Sequence, residues 1–315
     1  MKKLRVKIIF LLCLPVFYLL ITTTCNRTPV FAAENITVLP QLTQLDLTTD
    51  KPEAQIYYKN NTSLPVELTL SVEDVRELED RNPVGILDPK EAINYKYSLS
   101  SWVYLDRQTL LLNPGEMNSI NATVNKDKLT PGGHYGTILA EIHQSSNDKK
   151  ALKVKGVLAS LLFVRASTGS ERELAKIPYF GTEGTTFNFP TKYIFRFQNM
   201  GNVDLTPYGL VEIVDSRGRV VAKGIVNEDS LITLPEAIRK YEVSVKPLQK
   251  IILPGRYRAN LTLHYGKSKK EIKISTTITT QGTVNVAGLL LALAVFLGAL
   301  ETGRRILKST AKHQT

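Results

Sequence analysis

The side chains best suited to acid–base or metal chemistry are four histidines (His134, His143, His264 and His313), two cysteines (Cys13 and Cys25) and 29 Asp and Glu residues. No histidine stands in an H-E-x-x-H spacing, which would place two imidazoles on one helix face around a zinc ion. Both cysteines lie in an N-terminal segment read below as removed on export, so the mature chain would have no thiolate for zinc binding or nucleophilic attack. The sequence has no G-x-S-x-G elbow and no phosphate-cradling glycine loop, and spacing singles out no pair of carboxylates. His134 follows two glycines and reads as a structural or solvated turn residue. The sequence therefore nominates no catalytic residue, no cofactor-binding residue, no metal ligand and no cofactor. It leaves partner-binding residues unknown, and an enzyme is not expected.

Three other features could carry binding. Lys149, Lys150, Lys153 and Lys155 form one basic cluster, and Lys267, Lys269 and Lys270 another. Each falls at an expected hairpin connection, where a solvated turn is the default. Trp102, the sole tryptophan, reads as a core plug, since a single Trp in a sandwich usually fills the interior. Residues 74–95 do not fit a strand and read as a long acidic connection covering a sandwich edge, with a partner-binding loop as the alternative. In that alternative, deletion of the loop would leave the ectodomain folded.

The ends of the chain position everything else. Lys and Arg number 40 against 29 acids, a formal charge of +11. Such a charge first suggests a nucleic-acid or acidic-surface binder. Five of those bases lie in residues 1–33, with no acid. Four more, Arg304, Arg305, Lys308 and Lys312, follow an apolar run near the C-terminus. Residues 34–283 are left at only +3 (31 bases, 28 acids), and no nucleic-acid partner is expected. Residues 1–33 read as a signal peptide. They have a basic start from Lys2 to Lys7, an apolar stretch from Ile8 to Ile21, and small residues for cleavage at Ala32 or Ala33. Residues 283–303 read as one transmembrane helix and 304–315 as a basic cytoplasmic tail. The expected location is the cell membrane, single-pass, with the bulk of the chain extracellular and the C-terminus cytoplasmic. The two cysteines of the whole chain exclude a disulfide scaffold.

Between the ends, apolar and polar residues alternate with period two. Val66, Leu68, Leu70 and Val72 share one face; so do Ile120, Ala122 and Val124; so do Tyr257, Ala259, Leu261 and Leu263; so do Ile272, Ile274 and Ile278. This is the pattern of half-buried antiparallel strands. Turn signals punctuate it at Asn113-Pro114-Gly115, Pro131-Gly132-Gly133, Ser216-Arg217-Gly218 and Pro254-Gly255. The expected class is all-β: two tandem Ig-like β-sandwich domains over 34–165 and 177–282, joined by a linker over 166–176.

The run Ser101-Trp102, Leu111-Leu112-Asn113-Pro114-Gly115-Glu116 and Pro131-Gly132-Gly133-His134-Tyr135-Gly136 resembles the peptidoglycan-binding-like domain of the WxL-interacting proteins. The stretch from Phe197 to Tyr257 looks like the Ig-like domain that follows it in that family. The resemblance implies a cell-surface protein on a Gram-positive-type envelope. The expected function is non-catalytic: a membrane-anchored binding protein docking a surface protein or cell-wall polymer, held in the cytoplasmic membrane by one helix. A structural spacer or assembly subunit of an envelope complex is the alternative, and an envelope hydrolase a third reading.

Overall fold

The computed structural model describes residues 36–78, 84–144, 156–166, 169–183, 188–249, 252–281 and 286–311. The signal-peptide reading over 1–33 lies outside them, as does the basic cluster at Lys149–Lys155. The described residues are all-β apart from short helical turns and one C-terminal helix.

Alternation builds the first unit. Strands β1 (Ile36–Leu39), β3 (Glu53–Asn60), β8 (Met117–Val124) and β6 (Val103–Leu105) form one sheet in the order β1-β3-β8-β6. The facing sheet runs β2 (Leu42–Asp46), β10 (Gly156–Ala166), β9 (Gly132–Gln144), β4 (Val66–Arg76), with β7 (Thr109–Leu112) and β5 (Gly85–Ile86) both pairing the far side of β4. Ile56, Tyr58, Leu68, Leu112, Ile120, Ile138 and Leu162 fill the space between the sheets. The chain contributes to both sheets at its start. β1 pairs antiparallel with β3, the chain crosses at Pro40, and β2 then pairs parallel with β10. Proline has no N–H to donate to a ladder, so the crossover falls where continued pairing is impossible.

The second unit repeats the arrangement on a smaller scale. Strands β11 (Ala175–Gly181), β12 (Lys192–Asn199) and β15 (Ile238–Ser244) form one sheet. β16 (Lys246–Pro247), β14 (Val220–Val226), β13 (Tyr208–Val214), β17 (Gly255–Tyr265) and β18 (Lys270–Thr280) form the other. The core is aromatic: Tyr193, Phe195, Phe197, Tyr241 and Tyr257 pack with Val211, Ile213 and Leu261. Phe195 and Tyr241 stack at 5.0 Å between centroids, within the range where aromatic pairs add stability beyond area burial.

Two expectations are corrected here. Residues 74–95 are not one excluded loop. Asp74, Val75 and Arg76 end β4, and Pro89–Ala92 form a single helical turn, α1, capped by Asp88, whose carboxylate accepts from the Lys90 N–H at 2.9 Å. Val75 and Asp74 are buried, so deletion of the whole segment would remove core and could not leave the unit intact. The C-terminal expectation also fails. Residues Val286–Ala311 do form a helix, α2. Yet among the described residues no helix is long and apolar enough to cross a membrane. The physical reason is length: the unbroken apolar run Val286–Leu300 reaches roughly 22 Å at 1.5 Å per residue, against a hydrocarbon core of about 30 Å. Glu301 ends that run. The single-pass membrane location and the extracellular and cytoplasmic assignments that hung on it are withdrawn.

Candidate functional site: an open strand edge beside a charged joint

The two units meet along one apolar cluster. Val75, Tyr97, Tyr135 and Phe163 of the first pack with Leu234 of the second, and Ile232 adds to the same surface. Tyr135 lies edge-on to Phe163 at 5.1 Å and is fully buried. This tyrosine packs in the joint, and its hydroxyl donates across to Asp204 Oδ1 at 3.4 Å. The Pro131-Gly132-Gly133 turn is also a joint contact. The Gly133 N–H donates to the Asn202 carbonyl at 2.8 Å. Gly132 has a φ of +125°, and a Cβ there would sit 2.9 Å from that same oxygen. Only glycine meets both demands.

Charge ties the joint. Arg165, near the end of β10, donates from Nε to Asp204 Oδ1 at 3.2 Å and from Nη2 to the Asp204 carbonyl at 2.6 Å. Glu77 accepts from Arg239 Nε and, at 2.7 Å, from the Leu234 N–H. The Glu77 and Arg239 side chains are 2% and 8% exposed. Burial pushes the Glu77 carboxyl above its ordinary range, and the Arg239 charge only partly offsets that. Glu173 accepts from the Lys267 N–H at 2.7 Å and from Ser268 Oγ at 2.8 Å. Burial pushes its carboxyl up, but those donors and Arg165 prevail and leave it below the ordinary range. The Lys267 ammonium also pairs with Asp46, and with the Thr48 donors it holds that carboxyl at about 2. The cluster at Lys267–Lys270, read from sequence as a solvated turn, is therefore part of the joint. Lys270 Nζ donates to the Glu173 carbonyl at 2.6 Å.

The other sequence candidates lie apart from this network. Trp102 is half-buried in the 3₁₀ turn Ser100–Trp102, and Leu99 beside it is the fully buried residue. Trp102 thus does not plug the core; it lines a cavity of about 450 Å³ with Tyr95, Lys96, Lys128 and His134. Asp74 pins that turn. Its Oδ1 accepts from the Leu99 and Ser100 N–H groups at 2.7 Å each, and its Oδ2 from Ser98 and Ser100 hydroxyls at 2.7 and 2.9 Å. His134 is buried, with Nδ1 2.8 Å from the Ser98 carbonyl oxygen and Nε2 2.8 Å from that of Thr130. This is a structural position, not an exposed turn. His143 and His264 lie on strands beside Glu141 and Glu271. Among the described residues no three His, Cys, Asp or Glu side chains gather as a metal site.

What the sequence did not point to is a free edge. β2 accompanies β10 only from Leu161 to Arg165. The Leu161 N–H donates to the Gln41 carbonyl at 2.8 Å, and Ser160 Oγ donates to the Pro40 carbonyl at 2.7 Å; beyond them the chain departs for the opposite sheet. Gly156–Ala159 is paired with β9 on one side and with no described strand on the other. Main-chain groups alternate along a strand, so those of Val157 and Ala159, like Leu161, point outward. The edges of the second unit are blunted. β11 carries Pro178 and a register shift, β18 carries Lys270 and Lys273, and β15 carries Arg239, Lys240 and Glu242. Gly156–Ala159 has neither proline nor charge.

No family model and no curated protein matches the sequence. Solved structures similar in fold include a class 5 fimbriae chaperone CfaA, at 13% identity over 78% of this chain and 99% of that one, with a TM-score of 0.43. The Salmonella enterica SafA pilin in complex with the SafB chaperone matches at 10% identity over 78% and 96%, TM-score 0.37. The E. coli chaperone DraB matches at 11% over 76% and 98%, TM-score 0.37. At these identities and TM-scores the likeness carries no function across to this chain. The structures found are fimbrial chaperones rather than WxL-interacting proteins, so the resemblance stated above is withdrawn. With it goes the reading as a membrane-anchored surface protein docking a cell-wall polymer.

Proposed function

We propose that this chain is a non-catalytic capture protein, which holds an extended segment of a partner polypeptide by adding it as a strand beside Gly156–Ala159. The observation that carries the reading is the half-paired state of β10. Two outward N–H and two outward C=O groups stand in line there, on a strand whose other side is locked to β9. Added strands gain affinity from such main-chain bonds and specificity from alternate side-chain positions. Leu158 and Ile142, partly buried against the first core, would contact the inward side chains of the incoming segment, which should therefore be apolar at alternate positions. We read the two units as Ig-like sandwiches over 34–165 and 177–282 with 166–176 between them. In this reading the joint keeps them at a set angle beside the edge.

The test is proline at an outward position. Ala159→Pro removes one outward N–H and spares the β9 ladder, since proline is tolerated on an edge strand when its missing N–H faces outward. Peptides selected from a random display library on the full chain should bind the variant at least about tenfold more weakly, the scale of losing a main-chain bond and its neighbour's alignment. Unchanged binding by a folded variant would refute the site.

A further inference from the structure

The outer face of the second unit holds a cluster of arginines that only the fold assembles. The turn between β13 and β14 is closed by Asp215. Its Oδ1 accepts from the Arg217 and Arg219 N–H groups at 2.9 Å each, and its Oδ2 from Arg219 Nε and Nη2 at 2.8 Å each. These donors, led by the Arg219 N–H, hold the Asp215 carboxyl below its ordinary range. One guanidinium therefore already matches the one carboxylate at this tip.

Two further arginines arrive from β17. The sheet register sets Arg258 between Val214 and Thr277, and Arg256 opposite Thr279. Being two apart on one strand, Arg256 and Arg258 leave the same face, and both are exposed. With Asp215, Ser216, Gly218 and Thr277 they line a cavity of about 480 Å³. Gly218 has a φ of +78° and no atom within 4 Å of where its Cβ would be, so the turn leaves that wall open. Arg217, Arg256 and Arg258 have no carboxylate partner among the described residues.

Neighbouring guanidinium groups repel, and each carries five donors in a rigid fork whose acceptors here are solvent only. A multivalent anionic acceptor relieves both conditions at once, and planar forks match tetrahedral oxyanions bidentately. We propose that this pocket binds a phosphate group, free or as a monoester, with Arg256 and Arg258 as forked donors and the Thr277 hydroxyl as a third. The site lies in a different unit from the β10 edge and does not depend on strand capture.

Calorimetric and ¹⁵N NMR titrations of the full chain with inorganic phosphate and with glycerol 3-phosphate test it. Saturable binding should move the signals of Val214–Arg219, Arg256, Arg258 and Thr277. Arg256→Ala with Arg258→Ala should weaken binding at least about tenfold, the scale of losing charge-assisted bonds. Lys at both positions should also weaken it several-fold, because an ammonium keeps the charge and loses the fork. Lys59→Ala, on the first unit, is the control and should change nothing. Binding of the ester as strongly as the free ion supports a pocket open to an attached group; binding of the free ion alone supports an ion site. The proposal is overturned if phosphate does not saturate, if the double alanine variant binds as the parent does, or if the double lysine variant does so.

Discussion

The two halves of β10 are one strand with two fates. Leu161–Ala166 is paired on both sides or bonded to the second unit: β2 on one flank, β9 on the other, and Arg165 reaching across to Asp204. Among the described residues, Gly156–Ala159 is paired on one flank only. Their composition is similar, so propensity does not divide them. The division is made by Pro40, where β1 leaves for the opposite sheet and takes the potential partner strand with it. A rigid half next to an open half means that whatever is added beside Gly156–Ala159 meets a strand already held in register.

The largest effect expected is on the rigid half. Arg165→Ala leaves Asp204, with its side chain 5% exposed, buried without its cation. Removal of one partner from a buried pair costs about 3–5 kcal/mol, read as a shift of the urea midpoint. If that midpoint barely moves, the joint is not what stiffens the strand.

Next is the core contrast between the halves. Leu162→Ala, at a site buried among Ile138 and Val164, should cost about 2–4 kcal/mol. Leu158→Ala, only partly buried, should cost under about 1.5 kcal/mol. Equal losses would mean that the open half is packed as tightly as the other.

The smallest effect is on pH dependence. Asp46 and Glu173 are held below their unfolded values, so their contribution to the joint is present above those values and is lost as pH falls, for Asp46 toward about 2. Glu77 is raised, so its contribution runs the other way: present at low pH, lost as pH rises through its folded value. Asp46→Asn should therefore flatten part of the acid-side loss of stability between roughly pH 4 and 2. An unaltered profile would remove Asp46 from the joint.

Much of the fold was legible in the sequence because period-two alternation reports directly on half-buried strands. The Val66–Val72, Ile120–Val124, Tyr257–Tyr265 and Ile272–Ile278 runs all fall in strands, β4, β8, β17 and β18. The joint was not legible. Arg165 and Asp204 are 39 residues apart, and Glu77 and Arg239 are 162 apart; nothing local marks them as partners. Lys267 read as solvated because its acceptors, Asp46 and Glu173, come from distant segments. The open edge was invisible for a related reason. An unpaired flank is a property of the neighbouring strand's path, and Gly156–Ala159 reads like any other strand. The membrane span was misread because hydropathy is plain in sequence while the effective length of an apolar run is a matter of a few residues.

Amide hydrogen exchange along β10 tests the central claim most directly. In the free chain, Val157 and Ala159 should exchange quickly while Leu158 and Ser160, bonded to β9, exchange slowly. Addition of a display-selected peptide should slow Val157 and Ala159 and leave Leu158 and Ser160 as they were. Slow exchange at Val157 and Ala159 in the free chain, or a bound peptide that protects another edge and leaves these two exposed, would contradict strand addition at this site.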